Sequence, residues 1–160
     1  MREEGVRSAR AEDLEAIVDL LADDPLGASR ERTGKDLDAY RDAFREIAAD
    51  PAHEILVLEL DGAVVGVLQL SFLRCLTHGG GRRAQIEGVR IAAAHRGREL
   101  GEVLVGDAIR RARAAGCHLV QLTTDRRRPR ARAFYERLGF VDSHHGMKLD
   151  LIGDGADESG

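Results

Sequence analysis

"HRGRELG", His95 to Gly101, carries two glycines, two arginines and one acid at the point where an apolar strand pattern stops and an amphipathic helix pattern begins. The strand before it is "AQIEGVRI", Ala84 to Ile91. The helix after it is "ELGEVLVGDAIRRARAAG", with Leu100, Val103, Leu104, Ala108 and Ala112 predicted as its buried stripe. A helix start presents unpaired backbone N–H groups and the positive end of the helix dipole, which together favour an anion. Gly97 and Gly101 would let a bulky anion approach the backbone, and Arg96 and Arg98 add positive charge, so a phosphate or pyrophosphate suits the stretch. The same seven residues also suit a plain polar strand-to-helix connection. Two phosphate loops are excluded, because neither Gly-Lys-Ser/Thr nor the three-glycine dinucleotide fingerprint is present.

Working outward, Leu14, Ile17, Val18 and Leu21 repeat at helical spacing after a short opening segment at "VRSAR", and the pattern stops at "DDPLG". A second helix is expected over "KDLDAYRDAFREIAAD", with Leu37, Tyr40, Phe44 and Ile47 on one face and Pro51 just beyond. "EILVLEL" and "AVVGVLQLSF" read as a hairpin, because Asp61-Gly62 between them supplies the positive φ angles of a tight turn. "THGGGRR" is expected as a loop, with Gly79 to Gly81 beside an entrance and not a phosphate cradle. Downstream come a strand at "HLVQLTT" and a short helix at "PRARAFYERLG", with Pro129 at its start and Gly139 as its cap. A closing hairpin of "FVDS" and "MKLDL" follows, and then an acidic tail expected to be disordered. Helices before and among hairpin-linked strands predict an α+β fold, a mixed and mostly antiparallel central sheet flanked by helices.

The 160 residues, 43% hydrophobic, fit one domain, expected over residues 1–151 with the tail at 152–160. No apolar run approaches a membrane span, and "MREEGVRSARAEDL" lacks the apolar stretch of a secretion signal, so a cytoplasmic protein without a membrane partner is expected. Cys75 and Cys117 lack metal-type spacing and read as small buried hydrophobes. His144 and His145, with Asp142 nearby, match no zinc pattern, so no metal is expected. A net charge of −4 argues against nucleic acid, as does the lack of interleaved aromatics in "RRRPRAR", which reads mainly as a solvated face.

From "IEGVRI" through "HRGRELGEVLV", "RARAAGCHLVQLTT" and "RARAFYERLGF", the chain resembles the GNAT superfamily of acyl-CoA-dependent N-acetyltransferases. The superfamily's pyrophosphate motif is Arg or Gln, two residues, Gly, one residue, then Gly or Ala; Arg96 and Gly101 match its ends, and "FYERLGF" from Phe134 to Phe140 is a second hallmark. The resemblance implies a fold of that kind and an enzyme that moves acetyl from acetyl-CoA to a primary amine by direct attack, with both substrates bound together. The acceptor would be an amine-bearing small molecule or peptide, and the first two helices and "SFLRCLTHGGGRRA" would line its side. Strand-mediated pairing is common in such proteins, so a homodimer is compatible with it.

Residue by residue, the resemblance has Val89, Arg90 and Ile91 meet the pantetheine arm through their backbone. The amides from Arg96 through Gly97, Arg98, Glu99 and Leu100 to Gly101 would hold the pyrophosphate. Two positions depart from the pattern: Glu99 stands where glycine is usual, and Arg128 where an asparagine often contacts the cofactor. A carboxylate about 7 Å from the diphosphate costs on the order of 1 kcal/mol at intermediate dielectric.

Acetyl transfer needs a deprotonated nucleophile, a polarised carbonyl and a proton for the leaving thiolate. Glu87 is the candidate base, with Gln85 holding a water as the alternative, and Tyr135 is the candidate acid. In a regular strand Glu87 shares a face with Gln85, Val89 and Ile91, and Gly88 suits a bulge that would re-aim them and splay the strand. The competing function is a module that binds acyl-CoA as a sensor without turning it over, which the Glu99 substitution would fit.

Overall fold

Asp61 and Gly62, at φ 50° and 82°, make the tight turn that joins β2 (His53–Leu60) to β3 (Ala63–Arg74). This is a computed structural model, and it describes residues 3–23, 26, 31, 37–97 and 99–152. Around that hairpin stand β1 (Glu4–Ser8), β4 (Arg82–Ile91) and β5 (Leu119–Leu122), in the spatial order β1-β2-β3-β4-β5. The first three pairings are antiparallel and the last, β4 with β5, is parallel. The expected mixed, mostly antiparallel sheet is therefore formed. Its members differ in length from the sequence reading: β4 begins two residues earlier, and β5 is confined to four residues.

Alternation along the strands assigns the two faces. Leu56, Leu58, Leu68, Leu70, Ala84 and Ile86 point to one face and are all but sealed from solvent. Across that face lies α3 (Leu100–Ala114), packed on β2, β3 and β4, with its Arg111 reaching Glu54 at 3.5 Å. Its buried stripe is Leu100, Leu104, Val105, Ala108 and Ala112; the expected Val103 is 36% exposed because, a quarter-turn short of Leu104, it falls on the flank. Gly116 caps the helix in a left-handed conformation (φ 77°), the Cys117 amide donating to the Ala112 carbonyl.

On the opposite face α1 (Leu14–Ala22) packs Ile17 and Leu20 on Val57 and Val67, with Leu21, expected in the stripe, at its half-buried margin. Beside it α2 (Asp38–Ala49) lays Tyr40 and Phe44, with Leu37, on Leu14 and Val18. Parts of the first turn signal and of the second helix's lead-in lie outside the described residues, as do residues 153–160 of the acidic tail. "THGG" forms a single turn, Thr77–Gly80, in which His78 and Gly79 take left-handed angles, and the His78 ring stacks on His118 at 4.7 Å. Cys75 and Cys117 are free thiols, that of Cys117 pushed up by burial. Among the described residues no helix is long and apolar enough to cross a membrane.

Backbone contacts divide the chain into two compact units, residues 1–122 and 123–160. The second contains α4 (Pro129–Arg137), opened by Pro129 and closed at Gly139 (φ 96°), where the Phe140 amide donates to the Tyr135 carbonyl. The expected closing hairpin is absent: residues 140–152 form no strand, and Met147, Leu149 and Leu151 are exposed. Alternation decides which side chains could share a face, but a strand exists only when another backbone accepts and donates its hydrogen bonds, and no described segment of this unit does so.

Candidate active site

The register of β4 against β3 shifts at Gly88. Gln69 faces Glu87 and Val67 faces Arg90, so two residues of β4, Gly88 and Val89, stand opposite Leu68 alone. Gly88, at φ 63°, supplies the left-handed conformation that such a bulge requires. The bulge was expected, but its effect on the side chains corrects the regular-strand reading. Glu87 and Gln85 share the face covered by α1, and the residue that joins them past the bulge is Arg90, opposite Val67. Ile91, opposite Gly66, lies on the α3 face, where its Cδ1 would come within 2.8 Å of a Cβ at that glycine.

Pairing of β4 with β5 stops at Ile86 and Leu122, whereas β4 runs on to Ile91. Beyond Ile86 the edge of β4 turned away from β3 has no strand beside it among the described residues. That free edge, with its unpaired N–H and C=O groups, can take an extended amide-bearing chain by adding hydrogen bonds as a strand would. Not every group there is open: Ile91 carbonyl accepts from Arg96 Nε at 3.2 Å, and Val89 carbonyl from Arg90 at 2.8 Å.

The free edge leads into a short 3-10 turn, Ala93–His95, and then the glycine-containing loop. Gly97 (φ 78°) and Glu99 (φ 62°) both take left-handed angles just ahead of α3, whose first amides have no partner within the helix. No carbonyl of a described residue accepts from the amides of Gly97, Glu99, Leu100 or Gly101. The geometry explains why glycine suits position 99, since a residue with a Cβ pays about 1 kcal/mol or more in that conformation. Arg96 is committed to holding the loop in place: besides Ile91 it reaches the Asp23 carbonyl at 3.1 Å and its carboxylate at 3.7 Å, at the end of α1. Arg98 lies outside the described residues.

Glu87 is exposed and forms no ion pair with a described residue, unlike a strand acid spent on a neighbouring arginine. Beside it the strand register lines up a polar row that the sequence did not reveal. His53, Ser71, Gln85 and Gln121 face one another across β2, β3, β4 and β5. His53 Nδ1 shares a hydrogen bond with Ser71 Oγ at 2.8 Å, and Gln121 donates to Gln85 Oε1 at 2.9 Å. Ser71 is buried, and Asp50 lies 3.6 Å from the other ring nitrogen of His53. Each residue belongs to a different strand, so only pairing could show that they form a row.

In the second unit Tyr135 packs edge-on against Phe134 and Phe140, at ring separations of 5.1 and 5.7 Å. Arg128 is the residue before Pro129, its amide donating to the Asp125 carbonyl and its own carbonyl accepting from Ala131. Of the arginine run, Arg127 forks onto Asp125 at 2.7 and 2.9 Å, holding that carboxyl well below the usual carboxylate range, and Arg132 pairs with Glu136 and Asp142. These pairs match a solvated face.

A bulged strand with one free edge, feeding a helix whose first amides have no partner among the described residues, is an arrangement that suits an extended ligand with an anionic group. The chain belongs to the acetyltransferase (GNAT) family, whose model matches residues 14–140. It is 31% identical over 140 residues to an aminoalkylphosphonate N-acetyltransferase of Salmonella typhimurium (strain LT2), covering 87% of this chain and 86% of that protein. It is 34% identical over 119 residues to glucosamine 6-phosphate N-acetyltransferase 1 of Oryza sativa subsp. japonica, covering 70% and 68% respectively. Among solved structures, one described as a transcriptional regulator from Bacillus halodurans C-125 superposes with a TM-score of 0.89 at 47% identity, covering 93% of this chain and all of that one.

Proposed function

We propose that this protein is an acetyl-CoA-dependent N-acetyltransferase acting on a primary amine of a small molecule. The observation that carries the proposal is the parting of β4 from β5 at Ile86 and Leu122, directly before a loop with unspent amides. The free β4 edge from Glu87 to Ile91 suits the amide-bearing pantetheine arm, and the amides from Gly97 to Gly101 suit its diphosphate. Both relatives named as N-acetyltransferases act on amine-bearing acceptors, which supports the same reaction type here.

In this reading Glu87 accepts the proton that the amine loses as its nitrogen attacks the thioester carbonyl. The C–N bond forms, the C–S bond breaks, and the Tyr135 hydroxyl supplies a proton to the departing sulfur. Most of the acceleration comes from holding the two substrates side by side. Gln85 holding a water remains the second route for the amine proton. Arg128 is assigned to the nucleotide end of the carrier on the family resemblance alone. The activity belongs to the domain over residues 1–151, and free thiols at Cys75 and Cys117 fit a reducing, cytoplasmic setting.

A sensor that binds acyl-CoA without consuming it is the second reading, favoured by the strained, negatively charged Glu99 in the loop. Mixing the protein with acetyl-CoA and a panel of primary amines separates the two, with free thiol release as the readout. Release that depends on the amine supports the transferase. Calorimetric binding of acetyl-CoA with no thiol from any amine supports the sensor, and no binding at millimolar ligand overturns both.

A further inference from the structure

From Thr123 to Ile152 no residue is buried. Phe134, Tyr135 and Leu138 of the α4 segment are half-buried at most, and Val141, Met147, Leu149, Leu151 and Ile152 are at least 80% exposed. A unit of about 40 residues with no core of its own needs another surface to cover it. Met147, Leu149 and Leu151 alternate with Lys148 and Asp150, which is the pattern of a strand with one apolar face, yet residues 140–152 pair with no described backbone.

Residues 1–122 have the converse deficit. β5 stands at the end of the sheet, and β4 is its one partner strand among the described residues, so its outer edge keeps unpaired N–H and C=O groups. Val120 and Leu122 are in register with the sealed Ala84 and Ile86, but are themselves only half-buried. The apolar face under α3 therefore ends open at β5. A strand laid on that edge answers its backbone groups and, with an apolar residue at every second position, continues that face.

A second copy of this chain meets both deficits at once. It brings the same strand-patterned segment and the same open edge, so a reciprocal exchange about a two-fold axis covers each segment and each edge and leaves none over. Five exposed apolar side chains offered by each copy, with the backbone that carries them, amount to roughly 1,500 Å², the size of a standard stable interface.

Resting on the acetyltransferase reading, we propose that two copies exchange residues 123–152, so that each active site combines its own Glu87 with the partner's Tyr135.

The first measurement is mass in solution, where sedimentation should give a particle of twice the 17.5 kDa chain. Leu149→Lys combined with Leu151→Lys, at positions exposed in the single chain, should give a folded particle of one chain mass by sedimentation and circular dichroism. The second measurement uses two differently tagged chains, one Glu87→Gln and one Tyr135→Phe, expressed together and purified through both tags. Exchange leaves one site of that dimer with both groups intact, so kcat should return to about half of wild type. Without exchange every site lacks one group, and the activity stays at the mean of the two single variants. A wild-type monomer at 100 µM, a double-lysine variant that remains dimeric, or a mixed dimer no better than that mean overturns the proposal. Should neither single variant slow transfer, or no amine release thiol, the acid–base reading falls by itself, and mass with hydrogen exchange decides the swap. Amides of residues 147–151 protected in a wild-type dimer and open in the double-lysine variant then support it, and unprotected amides in wild type overturn it.

Discussion

Glu99 joins two separable effects in one residue, a left-handed backbone at φ 62° and a carboxylate at the start of α3. Glu99→Gly relieves about 1 kcal/mol of backbone strain and gives back part of it through the freer unfolded chain. Its melting temperature should rise by about 1–2 °C. Removing the charge should also tighten acetyl-CoA roughly fivefold, worth about 1 kcal/mol. Glu99→Gln keeps the Cβ and should show the tighter calorimetric Kd with no gain in melting temperature; an unchanged Kd in both variants would mean that the carboxylate faces water. For the chemistry, Glu87→Gln should lower kcat about 100-fold at pH 6 and less at pH 9, where more of the amine arrives unprotonated. A pH–rate profile parallel to wild type would hand the proton to the water route through Gln85. Tyr135→Phe should slow transfer by at least about tenfold while leaving the acetyl-CoA Kd in place, because only the phenolic proton is lost.

At the scale of an element, β4 depends on one glycine. A Cβ at Gly88 would meet only Leu21 Cδ2, at an ordinary 3.5 Å, so the obstacle to a larger residue is the φ of 63° and not space. Gly88→Ala should therefore destabilise the fold by about 1 kcal/mol in a urea titration. It should also weaken acetyl-CoA binding, because relaxing the bulge restores the alternation that puts β4 back into register. Gly106 in α3 gives the opposite expectation: it is exposed, and nothing lies within 4 Å of an added Cβ, so Gly106→Ala should stabilise by about 0.5–1 kcal/mol. The hairpin, the bulge and the glycine-capped end of α4 were legible because each rests on a local conformational demand that few residues meet. The direction in which Ile91 points was not legible, since it depends on how many residues β3 sets against the bulge.

Across the whole molecule, Arg7 ties β1 to the start of α1 and to β2. It forks onto Asp13 at 2.7 and 3.0 Å and reaches Glu59 at 2.7 Å, while Asp13 also accepts the Arg10 amide. The Arg7 guanidinium holds the buried Asp13 carboxyl below the usual carboxylate range. A carboxyl depressed in the folded state adds stability above its unfolded pKa of about 3.9 and loses it as the pH falls toward the folded value. Asp13→Asn should cost about 2 kcal/mol at pH 7, and the difference from wild type should shrink as chemical denaturation is repeated from pH 5 down to pH 2.5. A constant difference across that range would remove the carboxylate from the acid response.

The sequence by itself determined the α+β class, the order of its main elements, the phosphate-suited loop at His95–Gly101 and the family resemblance, because period, turn chemistry and motif spacing are properties of neighbouring residues. Tertiary structure alone decided that β4 leaves β5 at Ile86, that Arg96 is tied to Asp23, and that the closing hairpin has no partner within its unit. It also decided that His53, Ser71, Gln85 and Gln121 form one row. Each of these is a pairing between residues far apart in the chain, and no local preference encodes which backbone, or which charge, a distant segment will bring alongside.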